Sequence, residues 1–492
     1  MQLKDLKRKT AVALVWSTVR SGIEQIFSFF IFLVLGRLLT PEDFGVVALA
    51  AGVVEVLRLL SWVGLYEAII RAPVLDEETA DTAFWTSVSI GLVLAVSVVL
   101  VAHPLALLFA QPTLEPVVQV MSTIVVVSAL GITHTGRLAR DFGHKALAMR
   151  ALAANIAGGI AAMVVVWLGG GMWALVAQRL AAELIQTVAA WTALRWVPRF
   201  RFSRAAVRNM AGFGAGITIA NLVNGINMRA QEAAVGLQLP VAAVGALRIA
   251  SRLTDLIQQM VFMPANQATM VAFSKLQDDR ENLQLGLLHA VRLSGLVACP
   301  CFLGLAAIGP DLVPWMFGHQ WAASVPILQA LCLSVVPTTI AYFLPPVQVA
   351  VGKTKAFAAF SVLFLVVGLG FTVVCARWGI VAVALGLSAR SWVMTPLALM
   401  LLHRAAGVRA SSVVAAIAPT FLASLVAAAP AYGLSLWTEG ILVAPLKVGL
   451  EGTAYMLSYV LLLLAFGRPL LDEALGSVLP MMPLTMQGWL RR

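Results

Sequence analysis

Apolar stretches of about 20 residues recur along the entire chain, and each is long enough to cross a lipid bilayer as an α-helix. The ten-residue alternation typical of membrane β-barrels is not seen in the sequence. Only 12% of the 492 residues are charged and 60% are hydrophobic, so charged side chains are too few to cover a soluble protein of this size. The sequence therefore predicts an all-α polytopic membrane protein with about 14 transmembrane helices.

The apolar stretches divide the chain into successive segments. The predicted spans are 11–35, 44–70, 82–109, 117–138, 147–168, 171–194, 209–235, 242–267, 285–309, 324–350, 356–377, 379–402, 411–434 and 444–466. The expected segments are a basic interfacial start (1–10), a six-helix lobe (11–194), a basic cytoplasmic linker (195–208), a second six-helix lobe (209–403), a further helix pair (404–466) and a cytoplasmic tail (467–492).

The positions of the basic residues predict the orientation. Most Lys and Arg residues fall in one set of alternate loops and in both termini, whereas the other set of loops contains only Arg37, Arg377 and Lys447. Because positive charge marks cytoplasmic loops, we expect both termini in the cytoplasm. The net charge of +11 does not indicate a nucleic-acid partner here, since the largest basic cluster, from Arg195 to Arg208, suits contact with anionic lipids.

An internal repeat relates the two predicted lobes. The segment Leu35–Val46 resembles Val235–Ala246 at an offset of 200 residues, and Gly171–Val176 resembles Gly379–Ala384 at an offset of 208. A third, shorter match lies between these two in the sequence. Six spans per repeat is an even number, so the sequence predicts two parallel repeats. In transporters this arrangement places the substrate site between the lobes, near the membrane midplane.

Charged residues interrupt several predicted spans, although each costs at least roughly 2.5–3.5 kcal/mol at the bilayer centre. Most are opposite charges three or four residues apart, which could neutralise each other within one helix. That structural interpretation is favoured for span 6 and disfavoured for the others, partly because Arg248 has no carboxylate at helical spacing. The residues are Arg20 and Glu24 in span 1, Glu55 and Arg58 in span 2, Arg179 and Glu183 in span 6, and Arg248, Arg252 and Asp255 in span 8.

Polar stripes on two helices strengthen the prediction of a binding site. In span 8 the stripe covers an arc of about 60°, and in span 7 about 140°. The stripe residues are Arg248, Arg252, Asp255 and Gln259 in span 8, and Asn221, Asn224, Asn227, Gln231 and Glu232 in span 7. Interhelical hydrogen bonding is the alternative interpretation of the asparagines.

The chemistry of these side chains favours a diphosphate ligand. Arginine stays charged when desolvated and binds phosphate oxygens through two parallel hydrogen bonds. A neighbouring carboxylate could hold the arginine in place or take up a coupling cation. The predicted diphosphate ligands are Arg20, Arg58, Arg248 and Arg252, and the predicted partners or cation sites are Glu24, Glu55 and Asp255. The residues predicted to line the glycan path are Asn221, Asn224, Asn227, Gln231, Glu232 and Gln259.

Three segments resemble a known family. Leu35–Ala48, Gly64–Arg71 and Thr82–Trp85 are similar to the first hundred residues of Wzx-type bacterial polysaccharide repeat-unit flippases. These belong to the multidrug/oligosaccharidyl-lipid/polysaccharide exporter superfamily. The resemblance implies a flippase of the bacterial inner membrane that moves an undecaprenyl-diphosphate-linked oligosaccharide to the periplasmic leaflet for exopolysaccharide, capsule or O-antigen synthesis. It also implies arginines of spans 1, 2 and 8 lining a central cavity, as in the related lipid II flippases.

The chain departs from the family pattern at two places. Where the family often has Asn-Ala-Asp-Asn, this chain has Arg229-Ala230-Gln231-Glu232. Two tyrosines of the family's span 8 segment are replaced by Leu247 and Ser251, while Arg252 is retained. These differences leave the identity of the sugar open.

Two other functions remain alternatives. A drug/cation antiporter of the same superfamily would need a cavity dominated by acidic residues, and a membrane-bound polysaccharide polymerase or ligase usually needs a large outward loop. The sequence contains no nucleophile elbow, P-loop or metal-ligand cluster, so we expect no enzyme activity, cofactor or metal. The expected partners are the lipid-linked oligosaccharide and membrane lipids, with a polymerase and export machinery as further candidates. Membrane potential, protons and sodium all remain possible energy sources.

Overall fold

The computed structural model describes residues 25–62, 65–71, 75–140, 144–213, 215–277, 279–438, 440, 442–468 and 470. Regular structure in these residues is helical throughout, with no β-strand, which confirms the predicted all-α class. The α-helices are α1 Gln25–Leu38, α2 Pro41–Trp62, α3 Leu65–Arg71, α4 Glu77–Leu108, α5 Leu114–Arg140, α6 His144–Trp167, α7 Trp173–Ala193, α8 Arg204–Phe213, α9 Ala215–Gly236, α10 Val241–Lys275, α11 Arg280–Phe317, α12 Ser324–Cys332, α13 Val335–Tyr342, α14 Leu344–Ala350, α15 Thr354–Cys375, α16 Ile380–Ala406, α17 Ala410–Trp437 and α18 Ala444–Phe466.

Within the described residues, eight helices are long and apolar enough to cross a membrane, and the bent α12–α14 segment gives up to nine. The eight are α4, α5, α6, α11, α15, α16, α17 and α18. The helices that carry the intramembrane charges, α2, α7, α9 and α10, are 22, 21, 22 and 35 residues long, which is also sufficient to span a bilayer. The protein is therefore a multi-pass membrane protein, and the count of 14 spans stays a prediction.

One predicted span is broken. The stretch 324–350 forms three short helices, α12 to α14, with a bend of 53° between α12 and the two helices that follow. Pro337 lies in α13, and Pro345 and Pro346 lie in the first turn of α14. Proline lacks an amide N–H and disfavours helical backbone at the residue before it, so these three prolines account for the interruptions.

The described residues form two compact units. The first comprises residues of Met1–Ile249 and Ser361–Val383, and the second comprises residues of Ala250–Phe360 and Ala384–Arg492. In the first unit, α5 packs between α4 and α7: the Ser87 hydroxyl donates to the Ala129 carbonyl at 3.0 Å, and the Thr187 hydroxyl donates to the Val127 carbonyl at 3.0 Å. These small polar residues allow the close helix packing that stabilises membrane proteins.

A reciprocal glycine contact joins α2 and α10 within the first unit. A Cβ atom added at Gly45 would overlap the backbone carbonyl of Val241, and one added at Gly245 would overlap the carbonyl of Pro41. Each pair of equivalent positions differs by 200 residues, which is the offset of the sequence repeat. Gly45 contacts Val241 as Gly245 contacts Pro41, so the N-terminal ends of α2 and α10 are related by a local two-fold axis. This symmetry agrees with the predicted parallel repeat.

Residues 195–203 of the predicted basic linker have no regular secondary structure, and residues 204–208 form the start of α8. The Arg199 backbone N–H donates to the Asp81 carboxylate at 2.9 Å, and the Trp85 indole donates to the Arg199 carbonyl at 2.9 Å. The Trp196 indole also donates to the Glu77 carboxylate at 2.6 Å. These bonds fix residues 196–199 against the first three turns of α4.

In the second unit, α11, α17 and α18 pack together through buried tyrosines. The Tyr455 hydroxyl donates to the Ser424 carbonyl at 3.1 Å, and the Tyr459 hydroxyl donates to the Leu296 carbonyl at 2.8 Å. The Tyr455 ring also covers Gly304, where a side chain would clash with it. The predicted C-terminal helix pair is thus held on α11 by polar contacts at helix backbones as well as by apolar packing.

Candidate functional site

Arginine and glutamate side chains from four helices of the first unit meet in one place, which we call the arginine cluster. On α2, Arg58 and Glu55 form a two-point ion pair, with Nη2–Oε1 at 2.7 Å and Nε–Oε2 at 3.1 Å. Glu183 of α7 approaches the same guanidinium, with Oε2 at 3.7 Å from Nη1. Arg58 is therefore held by one carboxylate of its own helix and one from a different helix.

Glu232 is the centre of the second part of the cluster. Its Oε2 accepts from Arg229 Nη1 at 2.9 Å, and its Oε1 accepts from Arg248 Nη1 at 3.1 Å. Arg229 lies on the same helix, α9, whereas Arg248 projects from α10. Arg248 has no carboxylate three or four residues away on its own helix, and the structure supplies one from α9. The Glu232 side chain is only 4% exposed, so a single buried carboxylate forms ion pairs with two guanidinium groups and compensates one of their two charges.

Arg179 of α7 lies beside both ion-paired groups. It is within electrostatic range of Arg229 and Arg248 and of the carboxylates of Glu55 and Glu232. Within the described residues, its guanidinium makes no hydrogen bond and no ion pair. The expected i to i+4 pair does not form, because Glu183 turns to Arg58 instead.

Among the described residues, the cluster carries more positive than negative charge. It contains four arginines, Arg58, Arg179, Arg229 and Arg248, and three glutamates, Glu55, Glu183 and Glu232. Arg150 of α6 adds a further positive charge nearby, within electrostatic range of Glu183. Unbalanced positive charge inside a membrane protein is costly unless it faces water or an anion. The arrangement can therefore receive an anionic group, and its planar guanidinium donors suit phosphate oxygens.

The structure places the predicted site residues in several positions. Arg58, Glu55, Arg248 and Glu232 belong to the arginine cluster. The next residues of the span 8 stripe, Arg252, Asp255 and Gln259, lie half-buried further along α10, and each takes part in polar interactions.

Other predicted residues are only partly described. The Gln231 side-chain amide donates to the side-chain Oδ1 of Asn227 at 2.8 Å, and both residues belong to the described part of the predicted glycan-path stripe. Asn221 and Asn224 lie in α9, but their side chains are outside the described part of the chain. Arg20 and Glu24 also lie outside the described residues.

Three arginines of this region were not among the predicted ligands: Arg150, Arg179 and Arg229. Arg179 and Arg229 each have a glutamate three or four residues further along the same helix, and such spacing indicates a local ion pair. The packing of the helices places Glu183 against Arg58, and it brings Arg248 to the carboxylate that Arg229 already contacts. A sequence signal did exist, since Arg179 and Arg229 are charges within predicted spans.

Comparison with known families identifies the chain. Residues 34–326 match the family described as "Polysaccharide biosynthesis protein". The chain belongs to this family. The resemblance to polysaccharide repeat-unit flippases is thereby confirmed at the level of the family, and the match includes every helix that contributes to the arginine cluster.

The names of three curated relatives of this polysaccharide biosynthesis family member refer to the biosynthesis of succinoglycan, lipopolysaccharide and teichuronic acid. The succinoglycan biosynthesis transport protein ExoT of Rhizobium meliloti (strain 1021) is 27% identical over 301 residues, which is 61% of each chain. The chain thus spans about three fifths of ExoT. The lipopolysaccharide biosynthesis protein WzxC of Escherichia coli (strain K12) is 23% identical over 67% of each chain. The teichuronic acid biosynthesis protein TuaB of Bacillus subtilis (strain 168) is 21% identical over 91% of this chain and 94% of TuaB.

Solved structures share the fold. The lipid II flippase MurJ in an inward closed conformation superposes with a TM-score of 0.75, with 14% identity, over 93% of this chain and 100% of MurJ. A multidrug resistance MATE family transporter of the MOP superfamily, in an inward-facing conformation, gives a TM-score of 0.64 with 18% identity, over 79% of this chain and 98% of the transporter. The polysaccharide biosynthesis family member therefore has the same polytopic all-α fold as these two proteins.

Proposed function

We propose that the protein is a flippase that moves an undecaprenyl-diphosphate-linked oligosaccharide repeat unit from the cytoplasmic to the periplasmic leaflet by alternating access. The arginine cluster carries this proposal, above all the guanidinium of Arg179, which has no protein partner among the described residues. A diphosphate supplies the missing negative charge and several acceptor oxygens in one compact group. The names of the relatives, which refer to succinoglycan, lipopolysaccharide and teichuronic acid, support a polysaccharide precursor as the substrate class.

The cluster offers the diphosphate two kinds of arginine. Arg179 is available to a ligand without breaking an ion pair. Arg229 and Arg248 share one carboxylate, so each retains N–H groups that Glu232 does not use. Substrate binding then adds negative charge where the protein has an excess of positive charge, and release restores that excess. This difference favours a cycle in which the loaded and empty cavities prefer different conformations.

The remaining predicted residues take supporting roles in this proposal. Asn227 and Gln231 present amide groups that hydrogen-bond sugar hydroxyls. Glu55 and Asp255, with Glu24, are the candidate sites for a coupling cation. Arg20 and Arg252 are proposed as further diphosphate ligands from spans 1 and 8, as the family resemblance implies.

The topology proposed for this function places both termini in the cytoplasm and the chain in the bacterial inner membrane. The lobes at 11–194 and 209–403 move around the substrate, and the helix pair at 404–466 borders a path for the lipid tail. A polymerase that acts on the flipped repeat unit is the expected downstream partner. The distribution of Lys and Arg supports this orientation.

Replacing Arg179 tests the proposal. In a strain from which this gene has been deleted, a plasmid-borne Arg179→Ala variant should export about tenfold to a hundredfold less polysaccharide. The estimate follows from the loss of a charge-assisted hydrogen bond, worth roughly 1.5–3 kcal/mol. Arg179→Lys should be intermediate, because an ammonium keeps the charge but not the two-point geometry. Surface polysaccharide and membrane-bound lipid-linked repeat units are quantified together, with protein level measured by blotting.

Arg377→Ala is the matched control, because Arg377 is exposed in a short 3₁₀ turn between α15 and α16. It should export at the wild-type level. Wild-type export by Arg179→Ala at normal protein level would contradict the proposed role of the cluster. Normal polysaccharide in the deletion strain itself, together with lost drug resistance, would favour the antiporter instead.

A further inference from the structure

A second polar cluster lies inside the second unit, where α11, α17 and α18 pack together. Lys447 Nζ donates to Asp311 Oδ1 at 2.8 Å, and the Ser435 hydroxyl donates to Asp311 Oδ2 at 2.7 Å. Glu451, one turn beyond Lys447 on α18, places Oε1 at 4.0 Å from Lys447 Nζ. The Asp311 and Glu451 carboxyl groups are within hydrogen-bonding range of each other. We call these four residues the Asp311–Glu451 cluster.

The cluster is enclosed by the helix packing but lies near one end of the helices. Asp311 is six residues before the end of α11, and Lys447 is three residues after the start of α18. The Glu451 side chain is 1% exposed, whereas that of Asp311 is 25% exposed. Asp311 is therefore the carboxylate of the pair through which a proton can reach the buried Glu451 from outside the protein.

One carboxylate oxygen of Glu451 has no hydrogen-bond donor among the described residues. Both oxygens of Asp311 are bonded, one to Lys447 and one to Ser435. The buried Oε1 of Glu451 accepts no hydrogen bond. A buried carboxylate oxygen without a donor is strongly unfavourable, so this atom indicates that a hydrogen is bound at or next to it.

The charges lead to the same conclusion. Two carboxylates in hydrogen-bonding range cannot both be ionised at low cost, and such pairs share one proton. Lys447 compensates one negative charge and leaves one carboxylate over. A bound metal cation would fit this site less well than a proton, because the Lys447 ammonium would repel it. Among the residues that the structure describes, no group of three or more metal-ligating side chains occurs here or elsewhere.

We propose that Asp311, Ser435, Lys447 and Glu451 form a proton-binding site, in which one proton is held between the two carboxyl groups. The proton is covalently bound to one carboxyl oxygen and donated to the other as a hydrogen bond. On deprotonation it passes to the solvent, and two adjacent carboxylates then repel each other across the contact between α11 and α18. Protonation therefore stabilises the contact between α11 and the C-terminal helix pair, and deprotonation weakens this contact.

The titratable groups near the site can be named for the described residues. Among the described residues, α11 contributes Asp311, α18 contributes Lys447 and Glu451, and α17 faces the cluster with the hydroxyl of Ser435. Glu439, between α17 and α18, lies outside the described residues. The proposal concerns proton binding alone and stands whatever molecule the protein transports.

Infrared spectroscopy of the full chain in phosphatidylcholine nanodiscs tests the proposal. During a pH titration, the wild-type protein should show a carboxylic-acid C=O band that disappears as the pH rises. The band should be missing in Glu451→Gln. In Asp311→Asn it should titrate at lower pH, because the neighbouring negative charge that favours protonation is gone. Glu115→Gln is the matched control, since Glu115 also pairs with a basic side chain, His103 at 2.8 Å, but is more exposed, and its removal should leave the band unchanged.

A band that persists unchanged in both Glu451→Gln and Asp311→Asn would overturn the proposal. Folding is checked by size-exclusion chromatography. If Glu451→Gln does not fold, Lys447→Met replaces it. Removing the positive charge should raise the midpoint of the titration, and an unchanged midpoint in that variant would equally overturn the proton site.

Discussion

Glu232→Ala is expected to lower the free energy of unfolding by about 3 kcal/mol, since removing one partner of a buried ion pair leaves uncompensated charge. The variant leaves Arg229 and Arg248 without their shared carboxylate, beside the positive charge of Arg179. The value is at the lower end of the usual range because the two guanidinium groups are 16% and 18% exposed and can partly hydrate. Thermal unfolding in detergent, followed by size-exclusion chromatography, measures the loss.

Two further variants define the cause of this loss. Glu232→Gln retains a hydrogen-bond acceptor without the charge and should lie between wild type and Glu232→Ala. Glu78→Ala removes an exposed carboxylate in the first turn of α4, and its effect should stay within about 0.5 kcal/mol. Equal stability of Glu232→Ala and Glu78→Ala would show that the shared ion pair does not hold α9 to α10.

The second large effect is expected at the glycine contact between α2 and α10. Gly45→Ala and Gly245→Ala each place a Cβ against a backbone carbonyl, which cannot rotate away as a side chain can. Each substitution should destabilise the packed arrangement of these helix ends by about 1–3 kcal/mol. The proposed alternating-access cycle includes the conformation with this contact, so polysaccharide export in the deletion strain should fall at normal protein level.

The symmetry of the contact makes a sharper prediction. The two single variants should have similar effects, and the double variant should cost less than their sum, because both residues lie in one contact. Gly370→Ala is the matched control: Gly370 lies inside α15 with no atom within 4 Å of an added Cβ, so the change should be neutral or slightly stabilising. If Gly45→Ala behaved like Gly370→Ala, the helix ends would not be in functional contact.

Much of the fold could be predicted from the sequence because single helices have local signals. Apolar runs and their flanking charges gave the positions of α4, α11, α17 and the other membrane-length helices. The 200-residue repeat made Gly45 and Gly245 equivalent positions, but it did not predict that they lie at one contact. The breaks at Pro337 and Pro345 were missed, since the surrounding stretch is uniformly apolar and its length fits one span.

The candidate site could be predicted only in part. Arg58, Arg248 and Glu232 stood out because charge inside a span needs an explanation. Arg179 did not, because a glutamate four residues later suggested a local pair. Which carboxylate reaches which guanidinium depends on helix rotation and packing, and periodicity along one helix contains no information about that choice.

The most direct test of the account is a binding measurement on the purified protein. Affinities for undecaprenyl diphosphate and undecaprenyl monophosphate are compared in detergent for wild type and Arg179→Ala. We expect the wild type to bind the diphosphate about tenfold or more tightly than the monophosphate, and Arg179→Ala to lose most of this preference. Equal affinity of the wild type for the two lipids, or an unchanged preference in Arg179→Ala, would contradict the assignment of the arginine cluster as a diphosphate site.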